Sequence, residues 1–173
     1  MPTSSFRRRR ILAVVLLGAV LCLPILGLAT PRPSADRILI EKSARRLTLS
    51  RRGRPVKAYL VAPGPEPIGP KRCQGDNRTP EGSYRIDYRN PNSAFHRSLH
   101  ITYPNAADPA QSRKLRCSPG GDIMIHGLPN GQGWIGSRHR LADWTAGCIA
   151  VTNEEIEEIW NAVPDGTAVE IQP

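Results

Sequence analysis

Nineteen consecutive residues, Ile11 to Ala29, carry no charged side chain, and Arg7, Arg8, Arg9 and Arg10 stand directly before them. A basic cluster followed by an apolar run is the layout of an export signal. The run is also just long enough to cross a bilayer as a helix. Arginines on its N-terminal side predict that this end stays in the cytoplasm while the remainder is translocated. Gly27 and Ala29 place small residues at the spacing of a signal-peptidase site, which favours cleavage before Thr30. Pro24 kinks a spanning helix without forbidding one. A buried apolar helix of a cytosolic domain is the rival reading, and the Arg block argues against it. The expected organisation is a signal peptide or signal anchor over 1–30, a linker over 31–36 with Pro31 and Pro33, and one domain over 37–173. That domain is expected to be exported, periplasmic or otherwise in the cell envelope, with membrane attachment through residues 11–29 if the segment is not removed.

Of the 24 basic residues in the chain, four lie in Arg7–Arg10, so the exported part holds 20 against 15 acids, about +5 of the formal +9. This excess suits work near an anionic envelope. It does not argue for nucleic acid, because no aromatic–basic motif or recognition helix accompanies it. Cys22 falls in the export segment, which leaves Cys73, Cys117 and Cys148. In an oxidising compartment three thiols mean one pair and one left over, or none paired.

Period-two alternation of apolar and polar residues over 37–42 and 46–50 reads as two strands joined by a turn at 43–45. Further strand character lies at 56–62, 83–88, 96–103, 122–126, 147–151 and 167–171. The Pro- and Gly-rich stretch 63–80 reads as loop, 105–117 as a polar connection, and 127–144 as a long surface loop. Thr152 with Glu155 three residues on forms a capping box, and Ile156, Ile159, Trp160 and Val163 give the following helix an apolar stripe. Gly166 stops it. The expectation is a mostly β single domain with one or two short helices, preceded by the N-terminal export or anchor helix.

A histidine ending one strand and a cysteine opening another, His126 and Cys148, are 22 residues apart. Adjacent strand ends bring such side chains within hydrogen-bond reach. The imidazole then takes the thiol proton and raises the thiolate fraction, and later protonates a leaving amine. Gly147 lets substrate approach the backbone and aims amide N–H groups at an oxyanion. The carbonyl of Gly127 bends toward the imidazole to orient it. Asp143 is the nearest acid for a third member. Cys148 as a small core residue, or His126 as a structural histidine, are equally open on composition alone. A zinc site from His126, His139, Cys117 and Cys148 lacks any C-x-x-C or H-x-x-x-H pair.

Ile125-His126-Gly127 and Thr145-Ala146-Gly147-Cys148-Ile149, together with Gly75-Asp76-Asn77-Arg78-Thr79-Pro80-Glu81-Gly82-Ser83-Tyr84, resemble the YkuD family of L,D-transpeptidase catalytic domains, in its YafK-like subgroup. The resemblance runs roughly from Ile38 to Ile171. It implies an L,D-transpeptidase-like β-sandwich and a cell-wall acyltransferase without metal or organic cofactor. Cys148 would attack the L-centre carbonyl of a peptidoglycan tetrapeptide stem, forming a thioester as the terminal D-amino acid leaves. An amine on a second stem or on an envelope protein would then resolve it. His126 would be the base, Gly127 its orienting carbonyl, and the Gly147 and Cys148 amides the oxyanion hole. Two positions depart from the family: Ala146 stands where a His commonly precedes Gly-Cys, and Ala150 where Arg or Asn is common. These bear on the acceptor, so an envelope hydrolase of the same fold is the alternative, and a non-catalytic wall-binding module the rival from another class.

With Cys148 as nucleophile, a Cys73–Cys117 bridge is a further expectation. It would tie the loop before Gly75 to the loop before Gly120. Thr145, Trp144, Arg140 and Trp134 form the expected substrate-binding set. Trp134 and Trp144 either stack on substrate or anchor the loop to the body. Arg140, with His139 beside it, either holds a stem carboxylate or belongs to a solvated loop face. His96 and His100, four apart on an expected strand, would share a face in structural or surface roles.

Overall fold

The computed structural model describes residues 34–173. The expected export segment lies outside the described residues, as do the first residues of the expected linker. No helix among the described residues is long and apolar enough to cross a membrane.

Strands β1 (Arg37–Glu41) and β2 (Arg46–Arg51) form an antiparallel hairpin whose register sets Ile38 opposite Leu49 and Ile40 opposite Leu47. All four side chains are buried, so the alternation in the sequence is the alternation of two sheet faces. A tight turn through Arg52 and Gly53, both with positive φ, leads into β3 (Arg54–Leu60), the exposed edge of the sheet. The remaining strands are β4 (Gly82–Asn90), β5 (Ser98–Ile101), β6 (Met124–His126), β7 (Ile149–Ala150) and β8 (Ala168–Gln172).

The expected sandwich of two sheets is replaced by one eight-stranded sheet in the order β3-β2-β1-β8-β4-β5-β6-β7. The reason is β4. Its first half, Gly82 to Arg85, pairs with β8, and its second half, Ile86 to Asn90, pairs with β5 across a register shift between Ile86 and Tyr88. One long strand thus carries the sheet from one half to the other. The sheet curls around a single buried cluster that joins Ile38, Leu47, Ile86, Leu99, Ile125 and Ile149. Two neighbouring pairs are parallel, β1 with β8 and β6 with β7.

Helix α2 (Asn153–Ala162) starts as its sequence dictates. Thr152 Oγ1 accepts from the Glu155 N–H at 3.3 Å, and the Thr152 N–H donates to the Glu155 carboxylate at 2.9 Å. Ile156, Ile159 and Val163 enter the core. Helix α1 (Pro109–Leu115) occupies the stretch expected to be a plain polar connection. It buries only Ser112, whose hydroxyl donates to the Arg72 carbonyl at 2.7 Å, so it has no apolar stripe to read. The segment expected as loop over 127–144 contains 3-10 turns over Gly133–Leu141, broken at Gly136. His96 lies outside β5, with φ 64°, against Glu157, whereas His100 lies on the strand against Asp87.

Candidate active site

Because β6 and β7 are parallel neighbours, with Ile125 opposite Ile149 and His126 opposite Ala150, Cys148 directly precedes β7 and falls two residues before the partner of His126, a spacing that keeps both on one face of the sheet. His126 and Cys148 both line a cleft of about 450 Å³, together with Phe95, Asp122, Met124 and Trp144. Phe95 is a site residue that the sequence gives no signal for. Its ring lies 4.5 Å from the His126 imidazole, centroid to centroid, and Trp144 meets the same imidazole edge-on at 5.8 Å.

His126 Nδ1 is 2.7 Å from the carbonyl oxygen of Gly127. A carbonyl only accepts, so Nδ1 carries the hydrogen and Nε2 keeps its lone pair. Burial holds this imidazole below the usual histidine range, opposed by the Gly127 carbonyl. The Gly127 position has no room for a side chain. A Cβ there would come 2.8 Å from Asn153 Oδ1 and 3.0 Å from Ile156 Cγ2. Asn153, the first residue of α2, also accepts from the Leu128 N–H at 2.8 Å, which clamps the chain just after the histidine.

Cys148 is the free cysteine of the described residues. Burial pushes its thiol up, the Met124 backbone N–H and the Lys71 ammonium pull it back, and the Asp122 charge adds to the rise. Sγ lies 3.5 Å from the Asp122 carbonyl. Burial therefore favours the uncharged form of both partners. Thiol and neutral imidazole are the forms that burial favours here. Such a pair can pass its proton as the sulfur attacks.

Gly147 has φ 116°, and a Cβ there would lie 2.4 Å from the Arg78 carbonyl oxygen. Its N–H, expected to face an oxyanion, donates instead to Thr145 Oγ1 at 3.3 Å, and the Thr145 hydroxyl donates to the Cys148 carbonyl at 2.7 Å. Thr145 is thus a brace of the Gly147–Cys148 turn as well as part of the cleft wall.

The loop that supplies Arg78 is held by polar contacts. The Asp76 carboxylate accepts from Lys71 Nζ at 2.8 Å and from the backbone N–H groups of Arg72 (2.7 Å), Cys73 (2.9 Å) and Arg78 (3.1 Å). Burial works against its ionisation, but these four donors together hold it below the usual carboxylate range. Cys73 and Cys117 are joined in a disulfide, with Cα atoms 5.7 Å apart. Lys42, 1% exposed, donates to the carbonyls of Gly69 (2.7 Å) and Thr79 (3.2 Å) and pairs with Glu81. Neither buried lysine was singled out by the sequence, where each reads as an ordinary charge.

Of the expected substrate-binding set, Trp144 and Thr145 line the cleft. Trp134 does not; it is 74% exposed, with the Arg138 guanidinium over its ring. Arg140 is paired with Glu155 of the α2 capping box and is not turned to the cleft. His139 is buried, not solvated. Its Nδ1 accepts from the Trp144 indole N–H at 3.4 Å. Asp143 pairs with Arg45, leaving the Gly127 carbonyl as the group that orients His126. Among the described residues no three His, Cys, Asp or Glu side chains are gathered as for a metal ion, and Cys117 of the weighed zinc set is tied up in the disulfide.

The described residues thus form a β-rich domain in which a free thiol and a buried imidazole share one cleft. The chain belongs to the YkuD family: its residues 35–171 match the L,D-transpeptidase catalytic domain. It is 33% identical over 99 residues to YafK of Escherichia coli (strain K12), itself a candidate L,D-transpeptidase, covering 56% of this chain and 32% of that protein. Among solved structures it is similar to the helical cell shape determining protein Pgp2 from Campylobacter jejuni, with TM-score 0.62 and 26% identity over 81% of this chain and 48% of the other. Bd1075 of Bdellovibrio bacteriovorus shares the fold at TM-score 0.56 and 24% identity, over 83% and 50%. The chain spans about a third of the length of the curated relatives it matches, and about half of these solved chains.

Proposed function

We propose that this chain is an exported, cysteine-dependent peptidoglycan L,D-transpeptidase of the periplasm or cell envelope. Cys148 attacks the carbonyl of a tetrapeptide stem while His126 Nε2 takes the thiol proton. The resulting thioester forms as the C–N bond breaks, and the imidazolium returns its proton to the leaving amine. An amine acceptor, from a second stem or an envelope protein, then releases the acyl group and restores the thiol. The observation that carries this reading is the pairing of β6 with β7, which puts Cys148 in one cleft with an imidazole whose Nδ1 is committed to the Gly127 carbonyl. At the nucleophile turn, the Cys148 amide is the oxyanion donor that fits best, since the Gly147 N–H is engaged by Thr145.

A second reading keeps the same thioester and uses water as acceptor. It is favoured by Ala146, which lines the cleft where relatives commonly place a histidine that could handle an incoming amine. The test is mass spectrometry of the protein incubated with a carbapenem. One adduct mapped to Cys148 and absent in His126→Ala is the expected result. No adduct on folded protein would reject the enzyme reading in favour of a wall-binding module. Product analysis on stem peptides then separates a new cross-link from a freed stem.

A further inference from the structure

Three arginines, Arg51, Arg52 and Arg54, crowd the tip where β2 turns into β3, and all three are exposed. Arg51 and Arg54 stand directly opposite each other in the register. Like charges facing across two strands weaken a hairpin. Arg52 is held at φ 50°, a left-handed conformation that suits Gly or Asn better than a long side chain. None of the three guanidinium groups has an ion pair or hydrogen bond among the described residues; only the Arg52 backbone N–H is used, donating to the Asp36 carboxylate at 2.7 Å. Neighbouring cations are answered, Arg37 by Glu170 and Lys57 by Glu158. Three arginines against Asp36 leave two positive charges at the tip, a cluster from which the hairpin itself gains nothing. The tip is also where the chain enters the domain. The Asp36 N–H donates to the Ser50 carbonyl at 3.0 Å, and six residues, 30–35, separate Asp36 from the apolar run 11–29. The Cys148 cleft lies at the other end of these strands. β3 runs seven residues away from the tip, about 20 Å at the rise of a strand, and Ala62 just beyond it bridges Ala150 beside the cleft.

We propose that the tip formed by Arg51, Arg52 and Arg54 docks on an anionic phospholipid surface, and so turns the Cys148 cleft away from the bilayer. The inference rests on the export reading above and is independent of the chemistry at Cys148. A tether of six residues spans about 20 Å at most, so a domain held by an uncleaved 11–29 segment works within reach of the headgroups. A lipid surface fits the tip in charge, because it presents many phosphates to several guanidinium groups at once. It fits in shape as well. A Cβ on Gly53 would meet nothing within 4 Å, so the tip stands free to meet a broad surface and is no pocket for a single small anion. Docked there, the phosphates relieve the repulsion between Arg51 and Arg54 that the free hairpin carries.

The test is amide hydrogen exchange on the full chain reconstituted in vesicles of phosphatidylcholine alone or mixed in equal parts with phosphatidylglycerol. Both hold the apolar run alike, so a difference between them reports headgroup charge. Exchange over 50–56 is expected to slow by about tenfold or more in the anionic vesicles, the scale of two net charges at roughly fivefold each. The slowing is expected to vanish in high salt. At α1, where exposed Arg113 and Lys114 serve as a control, exchange is expected to be the same in both lipids. Arg51→Gln with Arg52→Gln and Arg54→Gln, which removes side chains that support no contact in the fold, is expected to abolish the lipid dependence. Equal exchange over 50–56 in the two lipids overturns the proposal, and so does slowing that survives in the triple variant or appears at α1 instead. The wild-type comparison decides alone if the variant fails to fold. Carbapenem acylation of Cys148 is measured on the same vesicles. An intact adduct with no lipid dependence rejects the docking and leaves the enzyme reading, whereas protection without an adduct does the reverse.

Discussion

Two segments flank the Cys148 cleft, and they are fixed in opposite ways. Residues 63–81 are pinned by charge and covalency: buried Lys42 and Lys71, the four-donor Asp76 carboxylate, and the Cys73–Cys117 disulfide. Residues 127–144 are pinned by ring packing and by α2: Trp144 lies between His126 and His139, Asn153 clamps Leu128, and Arg140 reaches the capping-box Glu155. The first segment has little apolar surface to bury, so its backbone must find partners in buried ions. The second has rings to pack and uses polar contacts at its ends. The difference is one of failure mode. A buried ion left without its partner is costly, whereas a loosened ring contact degrades gradually.

That contrast can be broken or sharpened in decreasing steps. Asp76→Ala leaves the Lys71 ammonium and three backbone N–H groups unanswered, and is expected to lower unfolding stability by about 3–5 kcal/mol in urea titration. A loss below about 1 kcal/mol would show that ions do not hold this segment. Cys73→Ser with Cys117→Ser removes a cross-link of 44 residues' separation and is expected to cost about 2–4 kcal/mol, read the same way. On the other side of the cleft, burial first and the Arg140 charge second hold His139 down to about 4, with Glu155 opposing. Between about pH 6.5 and that value the unfolded chain binds a proton that the folded one does not. Thermal stability is therefore expected to fall as pH drops through this window, and His139→Gln to flatten the slope. An equally steep slope in the variant would place the titrating group elsewhere. The smallest effect is expected from Thr152→Ala, about 1 kcal/mol from the lost cap. It should loosen 127–144 through Glu155 and Arg140, seen as faster amide exchange there and not in 63–81.

How much of this was legible depended on how each element earns its place. The β1–β2 hairpin shows in the sequence because both strands bury every second side chain, and α2 because its cap and stripe are both local patterns. Helix α1 is hidden because a helix that buries one serine has no periodicity to detect. The single sheet is hidden because β4 changes partner midway, and pairing between distant strands leaves no mark on local alternation. At the site, His126, Gly127, Gly147 and Cys148 were legible as a motif. The braces were not. Arg140, His139 and Asp143 read as solvent-facing or catalytic charges, and only the fold shows them turned to Glu155, Trp144 and Arg45. Phe95 and Lys71 come to the site from distant segments, which no spacing rule anticipates.

The parallel pairing of β6 with β7 has one more consequence. Cys148 and His126 are fixed by strand register, while everything between them is a single return path from one strand end to the next strand start. That path behaves as an exchangeable cassette. A replacement for residues 128–143 that spans the same gap and delivers Trp144 would leave thiol and imidazole in register. That wall of the cleft can then be rewritten by grafting, without touching Cys148 or His126.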